Sequence, residues 1–128
     1  MKILLDTHTL LWMLSDGEQL SDCARNMILD HNNELFFSLV SYWEICVKQS
    51  LGKLQLADNW QKKIDQELLY NGIRWLQIET NHCTRIIKLP FHHCDPFDRL
   101  LIAQAICEKM QILTKNKHVS MYKIKTIW

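Results

Sequence analysis

The spacing of apolar residues along this chain changes repeatedly, and each change marks an element. "KILL" (2–5) is an unbroken apolar run suited to a strand buried on both faces. "THTLLWML" follows at once and reads as a short helix. In "SDCARNMILDHN", Ser21 stands where an N-cap belongs, and Ala24, Met27 and Ile28 recur at helical spacing. "LFFSLV" (35–40) predicts a second strand, and "SYWEICVKQSLGKL" a helix ending near Gly52. "NWQKKIDQELLYNG" puts Trp60, Ile64 and Leu68 on one helical face and stops at Gly72. "IRWLQI" (73–78) predicts a third strand, and "NHCTRIIKL" a helix halted by Pro90. "PFDRLLIAQAICEKM" is a strongly apolar helix, "QILT" a fourth strand and "KIKTIW" a fifth. This alternation predicts an α/β fold: a parallel sheet with helices on both faces.

In such a sheet the C-terminal strand ends and the following helix N-termini share one edge, where ligands bind. Asp6 directly follows "KILL", Glu44 lies early in the helix after "LFFSLV", Asp98 lies in the first turn after Pro96, and Asn116 follows "QILT" by two residues. Glu79, at the end of "IRWLQI", is a fifth oxygen-bearing candidate. Each has a capping explanation. "SYWE" is a capping-box pattern from Ser41 to Glu44, and "DPFD" places Asp95 as N-cap, Pro96 at the first helical position and Asp98 at the third. Caps, however, occur on any helix at any edge, whereas these acids converge on one. Carboxylates gathered so closely repel. Arg99, Lys48 or Lys53 would offset them, and a hard oxygen-seeking cation such as Mg²⁺ or Mn²⁺ would do so better. A site of that kind suits chemistry on phosphates.

Composition narrows the choice. The chain has 128 residues, 48% hydrophobic, which fits one domain (1–128) with a core that needs no disulfide or structural metal. A net charge of +1 argues against holding a polyanion by bulk charge. Five cysteines, an odd number with no C-x-x-C pair, read as reduced thiols in a cytosolic protein. "MKILLD" is too short for a signal-peptide apolar region, and no run approaches membrane-spanning length. The expectation is a soluble, cytoplasmic protein.

"LLDTHTLLWML", "VSYWEICVKQSLGKL", "LPFHHCDPFDRLLIAQA" and "ILTKNKHVSMYKIKTIW", in that order from Lys2 to Trp128, resemble a PIN-domain ribonuclease of the VapC type, the toxin of a type II toxin–antitoxin system. The resemblance implies a three-layer α/β/α sandwich with a central parallel sheet of four to five strands. It implies a Mg²⁺- or Mn²⁺-dependent endoribonuclease that hydrolyses RNA phosphodiesters, a cognate antitoxin and a homodimer. The family's first Asp falls on Asp6 and its helix Glu on Glu44. Its third acid, followed by small residues five and seven positions on, falls on Asp98, with Ala103 and Ala105. Asp6, Glu44 and Asp98 are thus the expected catalytic and metal-ligating residues. Asp95 is left to cap, and Asn116, Thr114 and Asp95 are expected around the site. Glu79 matches no family ligand. The family's last acid is Asn116 here, which brings an oxygen but no charge. Lys48, Arg99, Lys115 and Lys117 are expected at the RNA backbone, together with the nearby His118, Lys123 and Lys125; an ordinary solvated lysine face is the plainer reading of the same residues. Trp12, Trp43 and Tyr42 are candidates for base stacking or for packing.

Three other readings compete. "HHCD" (92–95) and "NHC" (81–83) offer zinc-type ligands, without the paired spacing a zinc site requires. An aspartyl phosphotransferase would need an Asp where His8 stands, and no phosphate-binding glycine loop is present. A non-catalytic module that binds RNA or a protein partner is favoured only by Asn116.

Overall fold

The short apolar runs form five parallel strands. These are β1 (Lys2–Leu5), β2 (Glu34–Ser38), β3 (Arg74–Leu76), β4 (Gln111–Leu113) and β5 (Thr126–Ile127), in the spatial order β3-β2-β1-β4-β5, and of them the central β1 and β4 are the most deeply buried. The computed structural model describes residues 1–15 and 17–128. Seven helices among the described residues connect the strands. They are α1 (Thr7–Leu14), α2 (Asp22–Leu29), α3 (Leu39–Ser50), α4 (Trp60–Tyr70), α5 (Thr80–Ile86), α6 (Pro96–Glu108) and α7 (Lys117–Ser120).

Alternating side chains of the sheet feed two cores. Leu4 and Ile112 pack on α6 residues such as Leu101 and Ile102, with Leu89 and Val119. Ile3, Leu5 and Leu113 pack on the other face against Leu10, Ala24, Ile64 and Leu68 from α1, α2 and α4. Helix α3 sits between the layers, with Val40 in the first core and Ile45 in the second. The expected sandwich with a parallel sheet is the fold observed. No helix of the described residues is long and apolar enough to cross a membrane.

The strand ends lie level. Leu5 pairs with Phe37 on one side and Leu113 on the other, Ser38 with Leu76, and Leu113 with Ile127. The chain winds from β1 outward through β2 and β3, then returns to the far side of β1 for β4 and β5. The order therefore reverses between β1 and β4, and the crevice beyond those two strand ends is where an open α/β sheet binds its ligands.

One expected boundary is wrong. Strand β2 ends at Ser38, whose Oγ accepts from the Val40 amide at 3.0 Å and caps α3. The helix thus begins before Ser41, and the expected Ser41–Glu44 capping box does not form. The side chains of both residues are free for other work. The short helix α7 was not foreseen; Asn116 caps it by accepting from the His118 amide at 2.9 Å.

Candidate active site

Asp6 ends β1 and turns into α1, where it makes no side-chain capping bond. It is buried, and its Oδ2 accepts from Thr114 Oγ1 at 2.6 Å. The level strand ends explain this contact: Asp6 and Thr114 each follow one member of the Leu5–Leu113 pair. Glu44, also buried, accepts from Thr7 Oγ1 at 2.7 Å and from Lys48 Nζ at 2.5 Å. Thr7 Oγ1 also lies 2.8 Å from Ser41 Oγ, so the true first turn of α3 faces the first turn of α1.

Asp95 caps α6, as expected. Asp95 Oδ1 accepts from the amides of Phe97 at 2.9 Å and Asp98 at 3.1 Å, which is helix capping. The Asp98 side chain instead turns away from its own helix end. Its Oδ2 meets Asn116 Nδ2 at 3.0 Å and His93 Nε2 at 3.1 Å.

The three carboxylates feel one another. Burial, and then the charge of Asp98, push the Asp6 carboxyl above the usual carboxylate range against the Thr114 hydrogen bond. Burial, then Asp95 and Glu44, push Asp98 up against the His93 hydrogen bond. Burial opposes the charge on Lys48, but its bond to Glu44 and the fields of Asp95 and Asp98 outweigh that and raise its pKa. The three carboxylates do not all come within 4.8 Å of one another.

A tighter acidic group among the described residues is Glu79, His82 and Glu108, whose ligand atoms all lie within 4.8 Å. It does not fit a metal. His82 is fully buried; Nδ1 accepts from the Glu79 amide at 3.0 Å, so Nε2 carries the proton and gives it to Glu108 Oε1 at 3.0 Å. Both ring nitrogens are occupied in fastening the start of α5 to α6. The "HHCD" residues also separate. Cys94 is exposed, Asp95 caps, His92 packs edge-on against Tyr122, and His93 bonds Asp98. All five cysteines are unpaired.

Arg99 requires a correction. Expected at the RNA backbone, it is 4% exposed, donates to Pro90 O at 2.8 Å and Tyr122 Oη at 3.0 Å, and lies 4.0 Å over the Phe91 ring. A guanidinium meets several acceptors at once, and here it pins the loop before α6. Lys115 and Lys117 are exposed, and Lys48 is partly so. Trp43 is half exposed and packs on Phe97, Tyr42 packs between Trp60 and Trp75, and Trp12 packs on Trp128.

A family model for the PIN domain matches residues 3–125. The chain belongs to the PIN-domain family. Among curated relatives of this PIN protein is Ribonuclease VapC22 of Mycobacterium tuberculosis (strain ATCC 25618 / H37Rv), 26% identical over 130 residues and covering 98% of each chain. Two solved structures share the fold of this PIN domain. VapBC2 from Rickettsia felis, bound to a DNA fragment from its promoter, matches with a TM-score of 0.75 at 16% identity, over 98% of this chain and 97% of that one. VapBC-1 from nontypeable Haemophilus influenzae matches with a TM-score of 0.61 at 17% identity, over 98% and 96%.

Sequence reasoning missed two neighbours of the site. His93 was weighed only as a zinc ligand, yet it links Asp98 to Tyr122, whose Oη lies 2.8 Å from His93 Nδ1. The exposed His118 ring stacks on His93 at 5.4 Å and 4°. The signal available was His93 five residues before Asp98 at the loop preceding α6; nothing in the spacing marked Tyr122.

Proposed function

We propose that this PIN protein is a divalent-metal-dependent endoribonuclease and the toxin of a toxin–antitoxin pair. One observation carries the reading: Asp6, Glu44 and Asp98, drawn from three elements, meet at the crevice where the sheet order reverses, and two of them carry pKa values raised in part by the others' charge. The ribonuclease name of the mycobacterial relative and the paired VapBC assemblies of the structural neighbours support it.

The donor set fits a hard cation. It is all carboxylate oxygen, and the known hydrogen bonds to Asp98 both fall on Oδ2, away from Oδ1. Asp6 and Asp98, with Glu44 directly or through a water, would hold Mg²⁺ or Mn²⁺, which lowers the pKa of a water and offsets charge on the scissile phosphate. Thr114 fixes Asp6, while His93 and Asn116 together fix Asp98. Asn116 spends its oxygen on the His118 amide and turns its nitrogen to Asp98, so it acts on the carboxylate as a donor. That arrangement supports a single metal. Lys48 holds Glu44, and its partly exposed ammonium would meet the RNA backbone beside the acids.

The chain is assigned to the cytoplasm, with an antitoxin covering the acidic crevice and a second copy completing a homodimer. Incubation of the purified protein with total cellular RNA and Mn²⁺ or Mg²⁺, followed by mapping of the new ends, tests the reading. Discrete, metal-dependent ends absent from the Asp6→Asn and Asp98→Asn proteins are expected. Unchanged RNA, with no thermal shift on adding Mn²⁺, would leave a binding module in its place.

A further inference from the structure

A cavity of ≈ 490 Å³ lies along α6, outside the acidic crevice. Its floor is apolar, built from Leu89, Pro90, Ile106 and the Tyr122 ring. Its rim is cationic: Arg85, Lys88 and Lys123 are all exposed and no acidic residue lines the cavity. None of the three cations forms an ion pair with a described residue.

Two features tie the cavity to the proposed active site. Tyr122 Oη lies 2.8 Å from His93 Nδ1, and His93 Nε2 lies 3.1 Å from Asp98 Oδ2, so floor and acids are separated by one imidazole. His92, exposed at the cavity wall, meets the Tyr122 ring edge-on at 4.8 Å and 86°. A second depression continues outward past the same Arg85 and Lys88 and is otherwise lined by Thr80, Asn81, Thr84 and Cys107, again without a carboxylate.

We propose that this cavity is a nucleotide subsite for the RNA strand leaving the acidic crevice, taking a base against its apolar floor and His92 and a phosphate at Lys88 and Lys123. The inference rests on the endoribonuclease reading and adds to it where the substrate lies. Unpaired cations around an apolar, ring-bearing floor match a single-stranded polyanion whose bases are unstacked. The cavity floor also reaches the proposed reacting centre through one hydrogen-bonded imidazole, His93, between Tyr122 and Asp98.

The test measures binding apart from cleavage. Fluorescence anisotropy of a short fluorescein-labelled single-stranded RNA of mixed sequence is followed with the Asp98→Asn protein in EDTA. It is repeated after adding Lys88→Glu with Lys123→Glu, or, as a control of equal charge change on exposed α4 positions, Lys62→Glu with Lys63→Glu. Loss of two phosphate contacts on a single strand should lower the slope of log K against log salt by about 1.4, with affinity falling about ten-fold more than in the control. His92→Ala should weaken binding with the slope unchanged. In the otherwise native enzyme the rim pair should raise KM and leave kcat alone.

Equal losses in rim and control proteins would overturn the subsite. So would intact RNA binding with a weakened antitoxin complex, which would give the cavity to an acidic protein segment. Either result alongside RNA cleavage by the native protein leaves the nuclease reading standing. Rim-dependent binding without any cleavage would support the subsite and remove the nuclease reading.

Discussion

Thr114 donates its hydroxyl to Asp6 at 2.6 Å across 108 positions of sequence, joining the ends of the two strands where the sheet order reverses. The bond does two things: it fixes the orientation of a buried carboxylate, and it favours that carboxylate's charged form against burial. Thr114→Val keeps the shape and removes the proton donor. Metal affinity or cleavage should fall about 10–100-fold, as for other outer partners of metal-ligating groups. Thr114→Ser should recover most of it. Mn²⁺ titrations followed by thermal shift, beside cleavage rates at saturating Mn²⁺, separate the two effects; a fully active Thr114→Val protein would remove Asp6 from the reaction.

Replacing the acids themselves should separate stability from activity. Asp6→Asn and Asp98→Asn each remove one of the charges that repel at the crevice, and each amide still offers an oxygen to the Thr114 or the Asn116 and His93 donors. Both proteins should melt a few degrees above the native protein without metal, lose the rise in Tm caused by Mn²⁺, and cleave no RNA. Scanning calorimetry in EDTA and in Mn²⁺ makes the comparison. A lower metal-free Tm in both would mean that these carboxylates stabilise the fold.

The same shifts fix the sign of a pH dependence. The folded-state pKa values of Asp6 and Asp98 lie above the ordinary 3.8, so on acidification the native state takes up protons before the unfolded chain does. Their contribution to stability is complete below the unfolded value and is lost as pH rises through the folded values. Metal-free protein should therefore lose stability from these groups as pH climbs from the mid-acid range towards neutrality, and Asp6→Asn should flatten that part of the profile. Saturating Mn²⁺ should reverse the slope, because the cation requires the ionised carboxylates. Urea midpoints across pH measure both curves.

Much of the architecture could be read from local pattern. "KILL" and "LLIAQA" are apolar runs that only a buried strand and a buried helix accommodate, and Asp95-Pro96 marks a helix start with little ambiguity. The acids were legible because strand ends are legible. What sequence could not reveal is direction across space. The capping box at Ser41 and Glu44 looked sound locally, but Ser38 caps the helix earlier and a buried Thr7 claims both side chains. Arg99 looked like a surface cation because it follows Asp98, a candidate metal-holding acid. On a helix buried from Asp98 to Ala105, however, its side chain turns inward to the carbonyls of the preceding loop.

That inward turn gives Arg99 a measurable weight. Arg99→Ala would strip partners from Pro90 O and Tyr122 Oη in a buried setting, and should destabilise the protein by about 2–4 kcal/mol. Arg99→Lys should recover little, since one ammonium cannot reach the acceptors of both terminal guanidinium nitrogens. Chemical denaturation measures both. If Arg99→Ala kept native stability and instead weakened RNA binding, the guanidinium would belong on the surface after all.

Lys48 presents a competition. It holds Glu44 at 2.5 Å, on the carboxylate expected to serve the metal, and each cation at Glu44 discourages the other. Lys48→Met removes the resident positive charge and leaves the carboxylate seeking another. If Glu44 takes part in holding the metal, Mn²⁺ should bind several-fold more tightly to this variant. Cleavage at low RNA concentration should still fall if Lys48 also meets the RNA backbone, because that cation is gone. A Glu44 that only anchors α3 to α1 predicts otherwise: Lys48→Met would leave Mn²⁺ affinity unchanged and slightly lower the melting temperature. Calorimetric Mn²⁺ titration of the native and Lys48→Met proteins distinguishes the two roles, because only the first makes the loss of a positive side chain tighten the binding of a positive ion.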